Sequence, residues 1–103
     1  KVEGSNPSWG FRKMKLTLNE ITQRLESLQG WEYLDNSIIK KFKFNDFNEA
    51  INFVNKIADL AEQKDHHPDI LINYNIVTLT LTTHAENSVT IKDFELAKEI
   101  ERL

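Results

Sequence analysis

Asp65 to His84 read DHHPDILINYNIVTLTLTTH. Ile70 to Tyr74 and Ile76 to His84 are rich in β-branched and aromatic residues, and Asn73-Tyr74-Asn75 between them is turn chemistry, so the stretch predicts a β-hairpin. With the turn centred between Tyr74 and Asn75, cross-strand partners have numbers summing to about 149, which sets His84 opposite position 65. The strand out and the strand back cancel. His84 therefore returns to His66 and His67, and the three histidines of the chain come together. In the second strand Val77, Leu79, Leu81 and Thr83 share one face, while Ile76, Thr78, Thr80, Thr82 and His84 share the other, more polar one.

Upstream, Asp46 and Glu49 form a capping-box pattern, and the chain then runs without Gly or Pro to His67, long enough for about six helical turns. Pro68 is the predicted stop. The apolar residues of this helix form two adjoining stripes, Phe47, Ile51, Val54, Ala58 and Ala61 on one and Ala50, Phe53, Ile57 and Leu60 on the other. That is wider than one core-facing stripe requires, so part of it is expected to pack against another subunit; an unusually deep core is the alternative. Further upstream, Trp31 to Leu34 and Ile38 to Phe44 flank Asp35-Asn36-Ser37 and predict a first hairpin. Thr17 with Glu20 opens a helix over about residues 18–29, carrying Leu18, Ile21, Leu25 and Leu28 and closing at Gly30. Thr90 with Asp93 opens a last helix carrying Phe94, Ala97, Ile100 and Leu103. The order helix-hairpin-helix-hairpin-helix predicts an α+β fold, a four-stranded antiparallel sheet with three helices on one face.

A chain of 103 residues is one domain, here residues 16–103. Residues 1–15 are set apart as an N-terminal leader, a transit-peptide remnant or an artificial extension: Gly4-Ser5-Asn6-Pro7 is loop-like, no apolar secretory core is present, and Met14 directly precedes the first patterned helix. Thirteen Lys and Arg against sixteen Asp and Glu give a formal charge of -3, which leaves no global basic field to hold nucleic acid. No apolar run approaches the roughly 20 residues needed to cross a bilayer. The absence of cysteine excludes disulfides, thiol catalysis and thiolate metal sites, and suits the cytoplasm or an organellar matrix. There is no glycine-rich phosphate loop and no Ser or Thr in a nucleophile context. Trp31, Phe42, Phe44 and Phe47 read as core, and Lys40, Lys41 and Lys43 as decoration of a solvated strand edge.

Histidine as a residue type titrates near neutrality, so a cluster of three is a candidate for proton transfer. Glu62, four residues before His66, is expected to share its helical face, and Asp93 follows His84 by nine residues at the start of the last helix. A carboxylate that accepts one ring N–H fixes the tautomer and leaves the other nitrogen free. Two other readings stand beside this one. His66 and His67 could serve the carbonyl end of the long helix, with Asp93 as a capping residue. Three imidazoles plus water is also a known zinc arrangement, although neighbours on a helix point about 100° apart and do not easily share one ion. The metal reading ranks below organic acid–base chemistry.

Glu62, Asp65, His66-His67-Pro68, Tyr74-Asn75, Thr83-His84 and Asp93, at these separations, resemble the signature of the pterin-4a-carbinolamine dehydratases. The resemblance runs from about Leu16 to the C-terminus and includes Gly30-Trp31 and Phe44-Asn45-Asp46-Phe47. It implies a four-stranded antiparallel sheet with three helices on one side. It also implies dehydration of 4a-hydroxytetrahydropterins to quinonoid dihydropterins with no metal and no cofactor, in the recycling of tetrahydrobiopterin. By resemblance, His66 and His84 are the general acid and base, His67 contacts and orients the pterin, and Glu62 and Asp93 are supporting carboxylates. Ile70 stands where many members have tryptophan, and Asn87-Ser88 where they have glycine. A homodimer or homotetramer with a small-molecule pterin as substrate is expected, with no direct nucleic-acid or membrane partner. Animal members also serve as dimerisation cofactors for a homeodomain transcription factor; nothing in this sequence shows that binding surface, and the role is not carried over. The alternative from another class is a non-catalytic interaction module that binds and stabilises a partner through the long helix.

Overall fold

The computed structural model describes residues 15–103. The segment read as a leader at residues 1–15 lies, Lys15 apart, outside the described residues. The elements are α1 (Leu18–Leu25), β1 (Glu32–Leu34), β2 (Ser37–Lys43), α2 (Phe47–Lys64), β3 (Asp69–Asn73), β4 (Ile76–Leu81) and α3 (Ile91–Glu101). The strands form one antiparallel sheet in the order β1-β2-β4-β3. This is the expected α+β architecture, and the helices lie on one face. Ile38, Val77, Leu79 and Leu81 on that face are fully buried with Ile57, Phe94, Ala97 and Ile100, whereas Leu34 and Leu71 on the other are each 57% exposed. Burying an Ile or Leu of this kind stabilises by roughly 1.5–3 kcal/mol. A chain of ring contacts, Trp31 to Phe42 to Phe53 to Phe44, fastens β2 to α2. No helix among the described residues is long and apolar enough to cross a membrane.

The second hairpin has the predicted register. Asp69 pairs with Thr80, Ile70 with Leu79 and Leu71 with Thr78, each keeping the sum of 149 read from the turn. The ladder ends at Leu81, however, so His84 lies beyond the strand. Thr83 and Ser88 form an isolated bridge around a tight loop in which the Asn87 N–H bonds the His84 carbonyl. Asn87 has φ 50, the left-handed conformation that asparagine tolerates better than most side chains. In the first hairpin the turn is two residues, Asp35 (φ 50) and Asn36 (φ 62), both left-handed as a type I′ turn requires, and Ser37 already belongs to β2.

Both upstream helices stop earlier than their patterns suggest. α1 ends at Leu25 rather than residue 29, and the chain leaves it through tighter bonds, Ser27 N–H to Arg24 O and Leu28 N–H to Leu25 O, that carry Leu28 into the core. α2 ends at Lys64 rather than His67. Asp65 turns left-handed (φ 50, ψ 44), its N–H bonds the Glu62 carbonyl, and the His66 N–H reaches back to the Ala61 carbonyl at 3.1 Å. These two bonds make a Schellman ending, with aspartate where glycine is usual.

Lys40 and Phe47 also differ from expectation, whereas Lys41 and Lys43 are exposed. β2 is an interior strand, and Lys40 sits on its helix-side face, with Nζ bonded to the Gln29 carbonyl at 2.9 Å and to Glu101 at 2.8 Å and lying over the Phe42 ring. The Trp31 indole N–H donates to the same Glu101 oxygen at 2.9 Å. Phe47, at the first turn of α2, is 47% exposed rather than core.

Candidate active site

Residues that leave α2, β4 and the start of α3 meet in one cleft of about 270 Å³. Its lining includes Asp65, His66, His67, Thr83, His84 and Lys92. The sharp exit at Asp65 sends the two adjacent imidazoles different ways. The His66 side chain is 13% exposed and its Nε2 meets the Asp93 carboxylate at 2.5 Å; Asp93 itself is fully buried. His67 is 56% exposed and its Nε2 meets Glu62 at 2.5 Å. His84 is exposed, at the start of the loop that follows β4.

Asp93 is held from three sides. As the N3 residue of α3 it closes the capping box, its Oδ2 accepting the Thr90 N–H at 2.9 Å. The same oxygen accepts the Thr83 hydroxyl at 2.9 Å, and Oδ1 faces His66. A buried carboxylate is tolerable only when its lone pairs are met in this way. The arrangement unites a titratable ring, a fixed carboxylate that orients it and an open cleft, the parts of an acid–base site. Among the described residues, no three His, Cys, Asp or Glu side chains are placed to hold a metal ion together.

Over residues 14–103 the sequence matches the family described as pterin 4 alpha carbinolamine dehydratase. The chain belongs to this family. A relative from Sulfolobus acidocaldarius that carries the name of these dehydratases is 51% identical over 90 residues, covering 87% of this chain and 99% of its own. A crystal structure from Brucella melitensis, described as a transcriptional coactivator/pterin dehydratase, superposes with a TM-score of 0.82 at 40% identity, covering 85% of this chain and 96% of that one. A pterin dehydratase-like protein described as a RuBisCO assembly factor in the alpha-carboxysome reaches a TM-score of 0.58 at 19% identity, covering 70% and 83%, and shares the fold.

As a pterin carbinolamine dehydratase family member, the chain brings His66, His67 and His84 to one cleft, as the hairpin register implies. The carboxylates are distributed differently from the sequence reading. Because α2 ends at Lys64, Glu62 does not share a helical face with His66; it reaches His67 instead, and Asp93 is the partner of His66. The argument from helix geometry that kept His66 and His67 apart therefore has no basis, since neither is helical; the Schellman exit separates them. Thr83 and Thr90 were not singled out as site residues. Their signals were present, since Thr83 falls on the buried face of β4 and Thr90 is the N-cap, and a buried hydroxyl needs a partner. Lys92 carried no sequence signal.

Proposed function

We propose that this protein dehydrates 4a-hydroxytetrahydropterins to quinonoid dihydropterins by histidine general acid–base catalysis, in tetrahydrobiopterin recycling. The observation that carries the reading is the cleft where His66, held by buried Asp93, meets His67 and His84. In the reaction one imidazole takes the proton from N5–H, the N5 electron pair forms the N5=C4a bond, and the C4a–O bond breaks. The departing hydroxide takes a proton from the second imidazole and leaves as water. His66 and His84 fill these two roles, and proton exchange with solvent resets them. His67, steadied by Glu62, contacts and orients the pterin. Positioned acid–base groups contribute typically about 10²- to 10⁴-fold, and every atom in this step comes from substrate, water and the two rings.

A homo-oligomer is part of the proposal, supported by the apolar side chains left bare on α2 and β3, Phe47 at 47% and Leu71 at 57% exposure. The same surfaces favour the second reading, a non-catalytic module that binds a partner protein through α2. Stopped-flow absorbance with 4a-hydroxytetrahydropterin separates the two. Accelerated dehydration that falls by orders of magnitude in a His66→Ala, His84→Ala double variant supports catalysis; equal rates for wild type and double variant exclude it.

A further inference from the structure

We infer that the Asp65 carboxylate selects the substrate, accepting the N3–H and a 2-amino hydrogen of a pterin ring side by side. The cleft then takes 2-amino-4-oxopteridines in preference to 2,4-dioxopteridines. This rests on the pterin reading proposed above, in which Asp65 has no part. Asp65 lines the cleft and is exposed, and among the described residues its carboxylate has no hydrogen-bond or ion-pair partner. The carboxylates that serve the histidines are occupied, Asp93 by His66, Thr83 and Thr90, and Glu62 by His67. Of the described side chains that line the cleft, Asp65 is therefore the one that offers two open acceptors and no donor.

The backbone makes a second, independent point. Asp65 holds φ 50 and ψ 44, a conformation that glycine adopts freely and in which a side chain is strained. As a helix ending alone the position favours glycine, and strained residues that persist gather at ligand sites. The side chain present despite that strain is a carboxylate at the mouth of the histidine cleft. A pterin has the matching edge. Its N3–H and 2-amino group are two donors pointing the same way, in the 4a-hydroxytetrahydro substrate and in the fully oxidised ring alike. A carboxylate meets such a pair with two parallel bonds, as it meets a guanidinium. C4a lies across this ring from C2, so a grip on the edge at Asp65 leaves C4a and N5 free for the histidines.

The test is calorimetric titration of the protein with two stable probes: pterin, and lumazine, which carries an acceptor oxygen where pterin carries the 2-amino group. Wild type is expected to bind pterin about tenfold more tightly than lumazine, the scale of one hydrogen bond to a charged group. Asp65→Asn keeps the shape, and asparagine tolerates the left-handed backbone. Its amide offers one acceptor and one donor, the match for the N3–H and 2-oxygen of lumazine, so the preference should invert. Asp65→Gly should bind pterin about tenfold more weakly and lose the preference. A wild type without preference, or variants that keep the wild-type ratio of affinities, overturn the inference; a merely structural Asp65 would leave that ratio unmoved. A wild type that binds no pterin overturns it together with the dehydratase reading. Because binding is read without turnover, an inverted preference in a protein with no dehydratase activity supports the inference and sinks only the catalytic reading.

Discussion

Asp93→Asn keeps the shape of a fully buried side chain and replaces one acceptor oxygen with a donor. The amide has two orientations. If its oxygen stays with the Thr90 N–H and the Thr83 hydroxyl, its NH₂ faces His66 Nε2, which must then accept and carry its hydrogen on Nδ1. The ring would then carry its hydrogen on the opposite nitrogen from wild type. If the amide flips, its NH₂ meets the Thr90 N–H, donor against donor, and the first turn of α3 loses its cap. The flipped state leaves a buried polar mismatch costing about 1–3 kcal/mol, and the retained state replaces hydrogen bonds to a charged group with neutral ones, a loss of about 1 kcal/mol. Against a typical total of 5–15 kcal/mol the variant still folds. Activity suffers more, because the retained orientation inverts the ring proposed to move the proton and takes away the charge beside it, and kcat should fall by about 10²- to 10⁴-fold. Circular dichroism melts report the first quantity and stopped-flow dehydration the second. A folded variant with kcat within about twofold of wild type would refute the role assigned to Asp93.

The other predictions concern the backbone. Asp65 occupies the left-handed position that glycine fills without a side-chain clash, so Asp65→Gly should stabilise the protein by about 1 kcal/mol and raise Tm by roughly 4–8 °C; a lower Tm would mean that the Asp65 side chain contributes more than the strain it carries. Gly30 has φ 87, and a Cβ there would lie 2.8 Å from Lys40 Cε. Gly30→Ala should therefore lose about 1–2 kcal/mol in urea unfolding by displacing Lys40 from Gln29 and Glu101, and an unchanged midpoint would show that this node bears no load.

The hairpin that gathers the histidines was legible because a two-residue turn fixes register, and Ile70 opposite Leu79 follows by arithmetic alone. The two helix starts at Thr17 and Thr90 were legible because a capping box is a local signal. The end of α2 was not, because the reading waited for glycine or proline. Asp65 supplied the left-handed residue instead, and Pro68 disfavours helix at His67 in any case. That error of a turn put Glu62 beside His66, whereas the structure gives it to His67 and gives Asp93 to His66. Lys40 was misread for a different reason: whether β2 is interior or edge depends on strand order, and so on contacts between the two hairpins, which no local pattern carries.

The exit at Asp65 also divides two neighbouring imidazoles between two electrical environments. The His67–Glu62 pair stands in solvent, where mobile ions screen charges over a distance of about 8 Å at physiological ionic strength. The His66–Asp93 pair is shielded from those ions by the protein around it. Whenever His67 carries a proton on both ring nitrogens, added salt therefore loosens the hold on the residue proposed to orient the pterin while leaving intact the hold on the residue proposed to move its proton. A dipeptide that looks uniform in sequence responds to its medium on one side only.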